Sequence, residues 1–164
     1  MSVRQQGLCR WEQAAAGRTM HAAMLKNLSP LLSPDLLHAL ASMGHGDEIV
    51  LADAYFPAAT HAKRLVRLPG IAAHEALDAV LSVLPLDGLV PQPSCTMQVV
   101  GNTAEVPPAV LQFNEVLARH GHGAAGALDR YAFYERAAQA FVIAATGDTR
   151  TYANILLKKG LAQP

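Results

Sequence analysis

Net charge is what this sequence most plainly lacks: thirteen Lys and Arg balance thirteen Asp and Glu across 164 residues. No overall field draws the chain onto phosphate backbones or anionic lipid, so neither nucleic acid nor a membrane is expected as a partner. Cysteine is nearly absent. Cys9 and Cys95 cannot form a staple framework and show no Cys-x-x-Cys spacing, which favours a reducing, cytoplasmic setting. Long apolar runs are missing as well, since Ala140 to Ala145 falls far short of the roughly 20 residues a spanning helix needs. The first stretch scatters Arg4, Arg10 and Arg18 without a continuous apolar run and does not read as a secretory signal. There is no Gly-x-x-x-x-Gly-Lys-Ser/Thr loop, no Gly-x-Ser-x-Gly elbow, no His-Glu-x-x-His and no Gly-x-Gly-x-x-Gly. Nucleotide-binding and serine-hydrolase readings therefore lack their central feature. His120-Gly121-His122-Gly123 has no cysteine or carboxylate beside it in sequence and reads as solvated loop, so no metal is assigned.

What is present suits one folded domain. Hydrophobic residues make up 51% and charged residues 16% of a 17.4 kDa chain, and a chain this size buries about two-thirds of its unfolded surface. With so little charge, copies of the same chain are expected to cover part of the apolar surface. Residues 1–23 are expected to form a flexible extension and 24–164 the domain.

Helical and extended patterns alternate through that domain, indicating an α/β fold. Ser33-Pro34-Asp35 reads as N-cap, first-turn proline and acidic first turn of a helix whose apolar face is Leu36, Leu37, Leu40 and Met43, stopped by Gly44. Glu48 to Asp53 is a compact apolar run, as in a strand covered on both faces. Phe56-Pro57 turns the chain, Lys63 to Leu68 reads as a strand, and Ala76 to Leu84 as a helix closed by Pro85. Thr96 to Val100 is a third strand, and Pro107-Pro108 opens a helix that ends at Gly121, followed by a loop to Ala127. Asp129 caps a helix over Arg130 to Gln139, and Phe141 to Ala145 and Tyr152 to Leu157 read as strands about a Gly147-Asp148 turn.

One stretch invites chemistry. In Met43-Gly44-His45-Gly46-Asp47-Glu48 a histidine lies between glycines in a helix-to-strand loop. Such an imidazole is uncrowded and titrates near neutrality, as a proton-transfer group must. A polar turn residue fits the same spacing, and the residues alone leave both open.

Five blocks carry a resemblance: Met24 to Pro34 (Met-Leu-Lys-Asn-Leu-Ser-Pro-Leu-Leu-Ser-Pro), Met43 to Val50, Asp53-Ala54-Tyr55-Phe56-Pro57, Arg130 to Ala137, and Tyr152 to Gly160. In this order they resemble the L-fucose mutarotase and D-ribose pyranase family, with Phe133-Tyr134-Glu135-Arg136 and Leu157-Lys158-Lys159-Gly160 similar to the fucose branch. Ala153 in Tyr152-Ala153-Asn154 is familiar from the ribose branch. Tyr55 stands where the family more often has His or Asn.

The resemblance implies a three-layer α/β/α sandwich assembled into a ring, commonly a decamer, without metal or organic cofactor. It implies a mutarotase of L-fucose or a related monosaccharide, with pyranose-to-furanose conversion of D-ribose, or sugar binding alone as an accessory to uptake, as alternatives. It places the catalytic histidine at His45 and the sugar-binding positions at Asp53, Arg130, Tyr152 and Asn154, with the backbone around Ala153 adjoining them. Asp53 is expected to accept bonds from sugar hydroxyls or to orient His45. Tyr152 and Asn154 are expected to share one strand face, and Tyr134 and Glu135 are second-rank candidates. At about 3.3 Å per residue, an extended Glu48 to Asp53 puts roughly 17 Å between the two ends of that run. Either the loop folds back or chains share the site.

Overall fold

A computed structural model describes residues 25–162. The extension expected over 1–23 lies outside the described residues, as do Met24 and the last two positions.

The chain alternates helix α1 (Pro34–Ser42), strand β1 (Glu48–Ala52), α2 (Ala58–His61), β2 (Leu65–Leu68), α3 (Ala73–Leu81), β3 (Ser94–Met97), α4 (Pro108–Arg119), β4 (Gly126–Leu128), α5 (Arg130–Gln139), β5 (Val142–Thr146) and β6 (Ile155–Lys158). Ser33 caps α1 as expected, its hydroxyl accepting from the Leu36 amide, and Pro34 spares the helix an unpaired donor. The strands form one sheet in the order β2-β5-β1-β6-β3-β4. β1 pairs parallel with β5 and antiparallel with β6, so Ile49 to Ala52 are completely buried at the centre.

Alternation along these inner strands divides the core between two layers. Ile49 and Leu51 face one way, with Val142, Ala144 and Leu157, and pack against Leu36 of α1, Leu77 of α3 and Phe113 of α4. Val50, Ala52, Ile143 and Leu156 face the other, under Ala58 of α2 and Phe133 of α5. Helices therefore cover both faces, giving the three layers expected. Each large buried side chain of this kind contributes about 1.5 to 3 kcal/mol.

Several expectations need correction. β5 and β6 are not a hairpin about Gly147-Asp148: β1 lies between them, because β5 pairs on both edges, with β2 and β1. The loop expected to Ala127 contains β4, an edge strand of Gly126-Ala127-Leu128, too short and too poor in branched residues to show in sequence. α2 after Pro57 is a single turn, too short for periodicity. His120 is not a solvated loop residue; it ends α4 with its Nε2 2.9 Å from Asp78 Oδ1. β6 begins at Ile155, which leaves Tyr152, Ala153 and Asn154 ahead of the strand.

Among the described residues no helix is long and apolar enough to cross a membrane.

Candidate active site

β1 runs through the middle of the molecule, and the expected site residues collect at its two ends. Beyond its C-terminal end the chain bends at Asp53. The carboxylate of Asp53 accepts from the Tyr55 amide at 2.9 Å and from Asn154 Nδ2 at 2.6 Å, while Asn154 Oδ1 accepts from the Asp53 amide at 2.9 Å. Both residues are 4% exposed. This reciprocal pair joins the end of β1 to the start of β6. Burial raises the Asp53 carboxyl above its usual range, against the lowering effect of the Tyr55 amide and Asn154.

Tyr152 does not stand on a strand face. Its φ of 63° puts it in the left-handed region, which costs a bulky residue on the order of 1 to 3 kcal/mol. The side chain is thereby turned so that its hydroxyl accepts from the Val100 amide at 3.2 Å. The expectation that Tyr152 and Asn154 share a strand face is thus wrong in its reason, yet both line one cleft of about 200 Å³. Arg130 reaches the same cleft as the first residue of α5. Asp129 fixes that start by accepting from the Tyr131 and Ala132 amides, and the Arg130 guanidinium lies 5.5 Å above the Tyr134 ring. Tyr134 and the exposed Tyr55 complete the rim; Glu135 is not in the lining. Ala153 is wholly buried in the core and is not in the cleft lining. The cleft is smaller than the 300 to 1,000 Å³ or so typical of drug-sized ligands. It suits a small ligand offering hydroxyls to a carboxylate, an amide, a phenol and a guanidinium.

His45 is not in this cleft. It precedes β1 at the opposite end, where the Gly46 amide donates to the Lys159 carbonyl and the Lys159 amide to Asp47. The loop does not fold back. There His45 Nε2 lies 3.3 Å from Asp87 Oδ2, the histidine side chain 40% exposed and the aspartate buried. The Leu89 amide, and after it His45, hold the Asp87 carboxyl below its usual range. Within one chain Asp53 therefore does not reach His45; the carboxylate beside it is that of Asp87. Sequence reading missed Asp87 because Pro85-Leu86-Asp87-Gly88 carries the signal of an ordinary turn. Lys159 Nζ donates to the Leu40 and Met43 carbonyls and Lys158 Nζ to that of Gly46, bracing the loop around the histidine. Among the described residues no three His, Cys, Asp or Glu side chains gather to hold a metal ion.

A six-stranded sheet between two helical layers, with a polar cleft at one end of its central strand and an aspartate-paired, half-exposed histidine at the other, defines a single mixed α/β domain. The chain belongs to the RbsD / FucU transport protein family, whose match spans residues 26–162. It is 42% identical over 147 residues to the fucose mutarotase of Bos taurus, covering 86% of this chain and 96% of that one, and 44% identical over 144 residues to the human fucose mutarotase, covering 84% and 94%. The crystal structure of the Streptococcus pneumoniae fucose mutarotase in complex with L-fucose superimposes with a TM-score of 0.81 at 42% identity, covering 85% of this chain and all of that one.

Proposed function

We propose that this protein is an isomerase, a mutarotase that speeds exchange between the α and β pyranose forms of L-fucose or a closely related monosaccharide. The observation that carries this reading is the convergence of Asp53, Arg130, Tyr152 and Asn154, from three separate parts of the sequence, on one polar cleft in a chain whose relatives are fucose mutarotases.

The reaction needs only protons moved in step. A base takes the proton of the anomeric hydroxyl, the C1–O5 bond breaks, its electron pair stays on O5, and an acid protonates O5. The open aldehyde turns about C1–C2 and closes on its other face. Nothing is oxidised or reduced in this balance. His45 is the group for these transfers, since an imidazole both gives and takes protons near neutrality, and Asp87 positions its ring and stabilises the imidazolium. Asp53 and Asn154 receive sugar hydroxyls, Tyr152 offers its phenol and ring face, and Arg130 contributes donors from the helix start.

Because β1 holds His45 and the cleft apart, the complete site is formed between copies: the histidine of one chain meets the cleft of the next. A closed ring, such as a decamer, satisfies this requirement for every copy. The cytoplasm is the expected compartment, on the same cysteine usage as before. Magnetisation exchange between the anomeric proton signals of L-fucose, with D-ribose, D-galactose and D-arabinose assayed beside it, tests the reading. Faster exchange of L-fucose anomers is expected. Line broadening without faster exchange indicates a binder, and a preference for D-ribose with furanose formation indicates a pyranase.

A further inference from the structure

Asp148 and Arg150 lie outside the cleft lining, yet they are knotted into the segment that supplies Tyr152 and Asn154. Asp148 is 5% exposed. Its carboxylate accepts from Arg150 Nε at 3.0 Å, Arg150 Nη2 at 2.6 Å, the Arg150 amide at 3.0 Å and the Ala73 amide that opens α3 at 3.0 Å. The Arg150 fork also donates through Nη1 to Gln112 Oε1 of α4 at 2.7 Å, and its Nη2 lies 3.3 Å from His74 Nδ1. The Asp148 carbonyl accepts from the amide of Ala54, the residue after Asp53. Two residues earlier, the Thr146 hydroxyl donates to the Ala52 carbonyl at the end of β1. Downstream, the Asn154–Asp53 pair fixes the other side of the segment. Tyr152 is held left-handed between these two anchors.

A strained conformation persists only where its surroundings over-determine it, and the upstream surroundings here are the Arg150 fork. We infer that Arg150, locked by Asp148, is a positioning residue for sugar binding: it fixes the backbone that turns the Tyr152 phenol into the cleft without touching the sugar itself. Lysine, a point charge, cannot reproduce the planar two-point contact with Asp148 or the simultaneous reach to Gln112.

The inference rests on the sugar-cleft reading, so its test has an arm that needs no sugar. In amide hydrogen exchange on the full chain, R150Q is expected to speed exchange over residues 151–156 by about tenfold while α1 is unchanged. Equal acceleration in α1, or no change over 151–156, overturns the inference. In L-fucose titrations R150Q is expected to raise Kd about tenfold, and the R150Q/Y152F double variant to raise it by less than the product of the two singles. A full product means the two residues act independently and also overturns the inference. Should Y152F leave the L-fucose Kd unchanged, the cleft reading itself fails, and the exchange arm still decides the role of Arg150. If R150Q does not fold, R150K takes its place in the same arms with an expected effect of about threefold; parental exchange over 151–156 in folded R150K counts against the inference.

Discussion

His45 is half-exposed, flanked by glycines, and bonded to a single carboxylate, so its removal leaves the core untouched. His45→Ala is expected to abolish accelerated anomer exchange, a loss of about 100-fold to 10,000-fold, while the chain still folds; near-parental exchange would remove the histidine from the mechanism. The Tyr152 hydroxyl meets an exposed backbone amide that water can serve instead. Tyr152→Phe should therefore cost about 1 to 3 kcal/mol in sugar turnover, roughly 5-fold to 150-fold, without preventing folding. Asp53 differs, because both its oxygens accept bonds from buried or half-buried donors. Asp53→Asn turns a donor toward a donor, and urea denaturation should show about 1 to 3 kcal/mol of lost stability alongside lost activity. The histidine and the cleft residues were legible as candidates because they occur in distinctive blocks. Asp87 and Arg150 were not, since their roles come from partners far along the chain: Asp87 meets His45 through the bridge of Leu86 to Lys159, and Arg150 meets Gln112 and His74.

Among the elements, helices with their own cap signals and strands with a compact apolar run, such as β1 and β5, were read from sequence, whereas the pairing of the strands was not. α1 and α5 announce their starts with Ser33 and Asp129. The partners of β5 are set by the whole sheet, and two neighbouring apolar runs with a Gly-Asp turn look the same whether or not another strand comes between them. The N-cap of α5 bears on function because the helix begins with Arg130. Asp129→Ala should cost about 1 kcal/mol in thermal denaturation and also weaken L-fucose binding, as the first turn frays. The link from β5 to β6 carries a pH signature. The Arg150 side chain holds the Asp148 carboxyl at about 2, below its usual 3.8. A carboxyl depressed in the folded state stabilises it above the unfolded value and gives this up as pH falls. Up to about 2 kcal/mol should vanish between pH 4 and pH 2, and the stability of Asp148→Asn should fall less steeply over that range. Asp53 works in the opposite sense: raised in the folded state, it favours folding in acid and opposes it as pH rises through its folded value.

For the whole molecule, the separation of His45 from the cleft makes assembly a condition of the activity in the reading proposed above. Sizing by light scattering should find a closed oligomer, and a stable, fully active monomer would contradict the shared site. Complementation offers a sharper measure. His45→Ala and Asn154→Ala chains, each inactive alone, should regain about a quarter of parental activity when unfolded together and reassembled in equal amounts, because one site in four then draws an intact histidine and an intact cleft from its two contributors. Mixtures that stay inactive would place both groups on the same chain.

The five residues of β1 thus have a kinetic consequence. If neither end of the strand can turn over sugar by itself, then at dilutions where copies part, doubling the protein should more than double the rate, and the apparent reaction order in enzyme should climb above one. An enzyme of this design counts its own copies before it works.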